Sequence, residues 1–275
     1  MYRTRRTTSG RASLCYPYGL ASFRTMPARE SEALVLRTYP FREADLVVSF
    51  IARDQGRLRG VARGARKLRS RFGAGLERLA HVRMYYFQRE NRDLVGLDSC
   101  DLIESQFSVL GADYSLGVAL DFLADVSEQL LPEHEPNDRY FRLLLLALDH
   151  LRGRGPEGLW DTVTYFSLWA VKLGGWLPDL RACASCGVEF PDGGRAFFTR
   201  ALPGLACERC RPPNCWALAP DSRAVAGEML ETSLRKLAPR PWDRRTAADL
   251  RQFLVQRLEE QLERKLITAP LLLEL

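Results

Sequence analysis

Residues 31–63 read SEALVLRTYPFREADLVVSFIARDQGRLRGVAR, and the spacing of apolar side chains in this stretch decides the fold of the N-terminal half. Three short runs, at 32–38, 46–52 and 57–63, have the length and composition of β-strands. A turn-like segment at 54–56 links the second run to the third. The stretch therefore predicts three consecutive β-strands.

Two further runs complete a small β-sheet unit. HVRMYYFQ at 81–88 and DLVGLDSCDLIES at 93–105 are strand-like, and a turn-like segment at 90–93 links them. Five strands within so short a stretch have the number and size found in OB-folds. We therefore predict a five-stranded OB-fold barrel over residues 29–108.

Beyond residue 111 the pattern changes, and apolar side chains recur at three- and four-residue steps, as in amphipathic helices. Helices are predicted at 113–131, 141–151, 157–173, 219–238 and 246–267. The second of these is apolar nearly all round, which predicts a central position. The chain is thus predicted to be an α+β protein, with an all-α domain at 109–275 that carries a zinc-binding loop at about 180–215.

Four cysteines in that loop have the spacing of a metal site. Cys183 and Cys186 form one C-x2-C pair, and Cys207 and Cys210 form a second pair, with 20 residues between the two pairs. Two such pairs can supply four thiolates to a tetrahedral Zn²⁺ ion. Cys215 is an alternative source of one ligand.

The predicted zinc ion is structural. Four cysteines close the coordination shell, whereas a catalytic site keeps a position open for water. Zinc deaminases also place an H-x-E segment beside the cysteines, and none of the three histidines, at 81, 134 and 150, begins such a segment. One Zn²⁺ ion is therefore expected to order the inserted loop.

Positive charge is concentrated in one stretch. Residues 53–71 carry eight Arg or Lys side chains against the single acid Asp54, although the net charge of the whole chain is only +6. A solvated charged face is one interpretation. A nucleic-acid surface is the other, because Gly60 and Gly64 allow close approach of a backbone and aromatic side chains lie nearby. Those aromatics are Tyr39, Phe41, Phe72, Tyr85, Tyr86 and Phe87, of which alternation places at least one of the last three inward.

The first 28 residues are rich in arginine and contain no acid. They are expected to be a disordered extension, or the product of a start codon assigned too far upstream of Met26. A transit peptide would have a similar composition.

No run of 18 apolar residues occurs, so no membrane span is expected. The odd number of cysteines, five of them between 183 and 215, favours a reducing compartment.

Four features together resemble the RecO family of bacterial DNA repair and recombination proteins. They are the stretches SEALVLRTYPFREADLVVSF and DQGRLRGVARGARKLRSRFGAGLERL, the helical region that follows them, and the two C-x2-C pairs. The resemblance extends from about Met26 to the C-terminus and is most specific over 32–79. It implies an N-terminal OB-fold, a helical C-terminal domain and, in many members, a zinc knuckle.

The resemblance also implies a function. Members of the family bind single- and double-stranded DNA, anneal complementary strands, and act with RecR to load RecA onto DNA coated with single-strand-binding protein. They contact the acidic C-terminal tail of that protein. A cytoplasmic, nucleoid-associated protein without membrane contact is implied.

A cationic surface suits annealing because it offsets repulsion between two polyanionic strands. The candidate DNA-binding residues are Arg37, Arg57, Arg59, Arg63, Arg66, Lys67, Arg69 and Arg71. No P-loop and no recognisable catalytic triad occurs, so no enzymatic activity is expected. The alternatives are a zinc-ribbon factor in transcription or RNA binding and a zinc-dependent nucleic-acid enzyme.

Overall fold

A computed structural model describes residues 28–88, 93–238 and 240–275 of the chain. Its N-terminal part contains five strands: β1 Ala28–Phe41, β2 Asp45–Ala52, β3 Gly56–Ala62, β4 His81–Phe87 and β5 Leu94–Glu104. They close a barrel in the order β1-β2-β3-β5-β4. The β3–β5 pair is parallel and every other pair is antiparallel. The predicted OB-type barrel is confirmed. Apart from Ala28, which begins β1, the expectation for residues 1–28 lies outside the described residues.

Strand β1 is buried on both of its faces. Ala33 and Val35 point into the barrel core, whereas Leu34 and Leu36 belong to the apolar core of the helical region. Alternate side chains of a strand face opposite sides of a sheet, so a strand covered on both sides needs apolar residues throughout. This is why residues 33–36 form a continuous apolar run rather than an alternating one.

The C-terminal part is mainly helical. Its helices are α1 Phe107–Ala112, α2 Tyr114–Leu130, α3 Asp138–Arg154, α4 Leu159–Leu173, α5 Pro220–Glu231, α6 Ala248–Leu262 and α7 Thr268–Glu274. Two three-residue strands, β6 Ala196–Phe198 and β7 Trp216–Leu218, pair within the inserted segment. No helix in the described ranges is long and apolar enough to cross a membrane.

Three details differ from the sequence-based expectation. The helix predicted at 219–238 ends at Glu231, because Thr232 adopts an extended conformation. The helix predicted at 246–267 is two helices, since Glu263 takes a left-handed conformation with φ of 52° and ends α6. The central helix is α4 rather than α3: almost every residue of α4 is buried, whereas one side of α3 is exposed.

A row of acids on α2 holds the barrel against the helices. Asp121, Asp125 and Glu128 lie on one face of the helix because they are three and four residues apart. Arg37 of β1 pairs with both Asp125 (3.6 Å) and Glu128 (3.3 Å). Asp121 pairs with Arg78. The contact between barrel and helices therefore combines shared apolar packing with ion pairs.

The segment that joins α2 to α3 lies along β3. The His134 backbone N–H donates to the carbonyl of Arg57 at 3.0 Å, and Arg57 Nε donates to the carbonyl of Leu131 at 2.8 Å. Gly56 has a φ of 75°, and a Cβ atom there would lie 2.1 Å from the carbonyl oxygen of Glu135. Only glycine fits this position, which is both left-handed and in backbone contact.

The Asp125→Ala variant tests the polar contact. Asp125 is 1% exposed and accepts from Gln129 Nε2 (2.5 Å) and Thr268 Oγ1 (3.0 Å), besides its ion pair with Arg37. We expect the free energy of unfolding to fall by about 3 kcal/mol, because these donors lose a buried acceptor. Denaturant unfolding measures it. The control is Glu231→Ala, whose side chain is 75% exposed, and which should change the free energy by less than about 0.5 kcal/mol. Equal effects of the two variants would contradict the prediction.

Candidate nucleic-acid interface and metal centre

Residues 63–71, the basic loop, leave the barrel at the end of β3. The Gly64 backbone N–H donates to Asp45 Oδ1 at 2.8 Å, and the Arg66 N–H donates to the carbonyl of Ala44 at 3.0 Å. Gly64 has a φ of 67°, and the Lys67 N–H donates to the Gly64 carbonyl at 3.1 Å, which closes a turn over residues 64–67. The first half of the loop is thereby fixed to the β1–β2 turn.

The loop is also fixed at its far end. Phe72, immediately after the loop, is 3% exposed and packs in the barrel core, and so does the half-buried Ala65 near its start. Arg71 Nη1 lies 3.1 Å from Asp98 Oδ1 on β5. Between these anchors, the side chains of residues 66–69 are exposed to solvent.

Four predicted DNA-binding cations remain available to a ligand. Arg63, Arg66, Lys67 and Arg69 are exposed. Within the described parts of the chain, none of them pairs with a carboxylate; Arg66 Nη1 donates only to the carbonyl of Glu43, at 3.3 Å. Arg71 does have a partner, but it and Asp98 are both more than half exposed. The basic loop is therefore a cluster of positive charge that is largely uncompensated.

The other three predicted cations face acids of the helical region. Glu133 Oε1 lies 3.1 Å from Arg57 Nη1 and 2.8 Å from Arg59 Nε, and Arg37 binds α2 as described above. Strand alternation does place Arg57 and Arg59 on the outer face of β3, with Leu58 inside. The local sequence does not indicate that Glu133 neutralises that face, because this residue lies far along the chain.

A cleft of about 540 Å³ lies beside the basic loop, at one end of the barrel. Phe41, Arg42, Arg63 and Phe87 line it, with Gly96 beneath the Phe87 ring. A Cβ atom at Gly96 would come within 2.3 Å of that ring, so glycine allows the aromatic ring to lie flat on the sheet. The cleft therefore combines aromatic surface with both positively and negatively charged side chains.

The six aromatic residues named from the sequence fall into separate groups. Phe72 and Tyr86 are buried in the barrel core, and Tyr86 is the inward residue that alternation required. The Tyr39 hydroxyl donates to Glu128 at 2.8 Å, and burial together with this bond raises the pKa of Tyr39. The Tyr85 hydroxyl donates to Asp101 at 3.1 Å. Only Phe41 and Phe87 of these six line the cleft.

Four polar residues of the cleft were not among the residues predicted from the sequence. Arg42 stands in the β1–β2 turn, with its guanidinium 5.2 Å from the centre of the Phe41 ring. Asp45, Asp93 and Asp98 add carboxylates to the lining. Arg42 directly follows Phe41 in the sequence, which was a usable signal for a basic residue beside an aromatic one. The acids had no such signal.

The four predicted cysteines come together in the inserted segment. Their sulfur atoms all lie within 4.8 Å of one another, and the Sγ atoms of Cys186 and Cys207 are 3.8 Å apart. A tetrahedral ion with metal–sulfur bonds of about 2.3 Å requires sulfur–sulfur distances of about 3.8 Å. Each pair forms a tight turn: the Gly187 N–H donates to the Cys183 carbonyl and the Cys210 N–H to the Cys207 carbonyl. Cys215 is not part of the cluster.

The pKa values of two of these thiols are shifted by their neighbours in the cluster. Burial acts to raise the pKa of Cys183, but backbone N–H donors from Cys207, Cys186 and Ser185 outweigh it, and the pKa falls to about 6. Hydrogen bonds to the sulfurs of Cys186 and Cys207 raise the pKa of Cys210 to about 12. The thiol of Cys183 therefore loses its proton more readily than an ordinary cysteine, whereas that of Cys210 loses it less readily. The four cysteines could bind a metal ion.

A closed five-stranded barrel with a basic loop beside an aromatic cleft has the architecture of the OB-fold class. The family model "Recombination protein O N terminal" matches residues 26–106, and "Recombination protein O C terminal" matches 112–268. The chain therefore belongs to the RecO family.

Curated relatives agree over most of the chain. "DNA repair protein RecO" of Koribacter versatilis is 48% identical over 244 residues, which cover 89% of this chain and 98% of that protein. The protein of the same name from Anaeromyxobacter sp. (strain K) is 31% identical over 235 residues, or 85% of this chain and 91% of the relative. That of Cutibacterium acnes is 36% identical over 197 residues, covering 69% and 76%. Membership indicates a role in DNA repair and recombination.

Proposed function

We propose that this protein is a DNA-binding recombination mediator, acting in DNA repair and homologous recombination. It anneals complementary strands and helps RecR to load RecA onto single-stranded DNA coated with single-strand-binding protein. Family membership supports the repair role, and the basic loop beside the cleft supports DNA binding. No catalytic step is part of the proposal.

One observation carries the proposal: four exposed cations, which have no carboxylate partner among the described residues, lie in one loop, and Arg63 of that loop lines a cleft that contains two aromatic rings. Cations neutralise phosphates and release counterions, which supplies affinity independent of sequence. Base stacking on aromatic rings adds affinity, and it tolerates any sequence because every base has a π-face. A protein that anneals strands needs both properties, since it must hold strands of any sequence close together.

The cations take different roles in this proposal. Arg63, Arg66, Lys67 and Arg69 are the main phosphate contacts, and Arg71 contributes at the edge of the cleft. The other three candidates would reach DNA only by leaving their carboxylate partners. They are Arg37, Arg57 and Arg59. We therefore assign these three mainly to holding the barrel against the helices.

The bound metal is proposed to be one Zn²⁺ ion, held by Cys183, Cys186, Cys207 and Cys210. Four sulfurs fill a tetrahedral shell, so the ion would stabilise the inserted segment rather than activate water. The two knuckles already contact each other, because the Ala184 N–H donates to the Leu205 carbonyl at 2.8 Å. The ion would fix that contact and thereby the packing of the segment on the helices.

The division into domains, the binding partners and the cellular location are also proposals. The chain is divided into an OB-fold domain at 29–108 and a helical domain at 109–275, with the zinc knuckle inserted at about 180–215. Its partners are single- and double-stranded DNA, RecR and the acidic C-terminal tail of single-strand-binding protein. It works in the bacterial cytoplasm at the nucleoid.

Strand annealing tests the proposal. We expect the protein to speed annealing of complementary strands coated with single-strand-binding protein, and the rate should fall steeply as salt rises. The Phe87→Ala variant should weaken binding to single strands by about 1–3 kcal/mol, because one stacking platform is lost. Fluorescence anisotropy measures the binding, and a quenched-fluorophore assay measures the annealing.

The matched control is Tyr114→Ala, since Tyr114 is 75% exposed and does not line the cleft. Binding by this control should equal that of the unaltered protein. No annealing at any salt concentration would refute the mediator function. Marked preference for one base sequence would favour a zinc-ribbon factor, and turnover of DNA would favour an enzyme.

A further inference from the structure

Leu68 lies in the middle of the basic loop and is fully solvent-exposed. Its relative exposure is 103%, the highest value among the large apolar side chains that the structure describes. A single exposed leucine is ordinary on a protein surface. This one differs in its surroundings, because Arg66, Lys67 and Arg69 flank it and the loop contains no acid.

The loop presents Leu68 in a defined position. Ala65 and Phe72 both pack in the barrel core on either side of it. Backbone bonds from Gly64 and Arg66 tie one half of the loop to the β1–β2 turn, and the buried Phe72 holds the other end in the barrel core. With both ends fixed, little conformational freedom is left to lose when the tip meets a ligand.

An exposed apolar side chain whose neighbours in sequence are cations suits a particular ligand. A polyanion would be drawn to the tip by Arg66, Lys67 and Arg69, which brings Leu68 against its surface. In DNA the phosphates are on the outside and the apolar base faces are stacked inside. Proteins that kink DNA insert leucine or similar side chains between base steps while neighbouring cations hold the backbone.

We propose that Leu68 is a wedge that enters the base stack of DNA bound at the basic loop and separates adjacent bases. This inference rests on the proposed function, because it assumes that the loop binds DNA. Wedging would help annealing, since it opens mispaired or stacked bases at a junction and allows them to pair again. The cations supply the affinity, and Leu68 supplies the local distortion.

A 2-aminopurine probe tests the wedge. The substrate is a partial duplex with a single-stranded overhang, with 2-aminopurine at the paired position next to the junction. Its fluorescence is quenched by stacking, so binding of the unaltered protein should raise it. Leu68→Ala should lose most of that rise while its affinity falls by less than about tenfold, because phosphate contacts dominate affinity. Leu68→Phe should keep the rise.

The matched control is Ile267→Ala, which removes an aliphatic side chain that is 75% exposed and lies in the helical region. It should behave as the unaltered protein does. A rise of equal size with Leu68→Ala would overturn the wedge and leave DNA binding intact. Failure of the unaltered protein to bind the substrate would refute the proposed function itself. A defect of Leu68→Ala confined to strands coated with single-strand-binding protein would make Leu68 a protein contact, which also overturns the wedge.

Discussion

Changing Arg66, Lys67 and Arg69 together to alanine should weaken binding to single-stranded DNA by about a hundredfold near 0.1 M salt. Each cation that neutralises a phosphate on a single strand contributes about 0.7 to the slope of log affinity against log salt, so the slope should become shallower by about 2. Anisotropy titrations across a salt series measure both quantities. The melting temperature should hardly change, since these exposed side chains have no carboxylate partner among the described residues.

A second triple variant controls for the loss of net charge. Arg139, Arg264 and Lys265 are likewise two arginines and one lysine, all exposed and without a carboxylate partner in the described chain. Their replacement by alanine removes the same charge from the helical region. Equal weakening by both triple variants would show that overall charge matters and position does not, which would refute the assignment to the basic loop.

Cys183→Ser should remove the metal and lower the melting temperature by about 10 °C, because a structural zinc site contributes its binding free energy to folding. A loss of about 4 kcal/mol is enough for this shift, since each kcal/mol moves the transition by about 2–4 °C in a chain of this size. Metal analysis after dialysis and differential scanning calorimetry measure the two effects. The free energy of binding to single-stranded DNA should change by less than the free energy of unfolding, because the cysteine cluster and the basic loop belong to different parts of the fold.

Cys215→Ser provides the comparison, since Cys215 is half-buried and lies outside the four-sulfur cluster. It should retain one equivalent of zinc and the melting temperature of the unaltered protein. Zinc content unchanged by Cys183→Ser would refute the site. Loss of zinc in Cys215→Ser would show that Cys215 is a ligand, and that one of the four proposed cysteines is not.

The local parts of this fold could be predicted from sequence because their signals are local. Apolar runs bounded by turns predicted all five barrel strands, and two C-x2-C pairs predicted a cluster that the fold does assemble. The break at Glu263 could not be predicted, because the apolar stripe continues to Leu266, which is buried beyond the end of α6. A stripe shows which residues are buried, but not whether one helix carries them all.

The candidate site was predicted only in part for a similar reason. Charge counting identified the basic loop, since its residues are neighbours in sequence. It could not separate Arg59 from Arg63, because the difference between them is Glu133, which folding brings to 2.8 Å from Arg59. Likewise, the partners of Tyr39 and Tyr85 come from other elements, so composition could not show that Phe41 and Phe87 alone of the six named aromatics remain in the cleft.

The outer face of the barrel has a practical consequence for anyone who wishes to dissect this protein. Leu34, Leu36 and Ile51 lie in barrel strands and Leu79 lies just before β4, yet all four belong to the apolar core of the helices. A fragment ending near residue 108 would expose these four side chains to water, together with cations that lose their carboxylate partners. Such a fragment would be prone to aggregate and would carry artificial positive charge. Affinity for DNA is therefore meaningful only when it is measured on a chain that contains the helical region as well as the barrel.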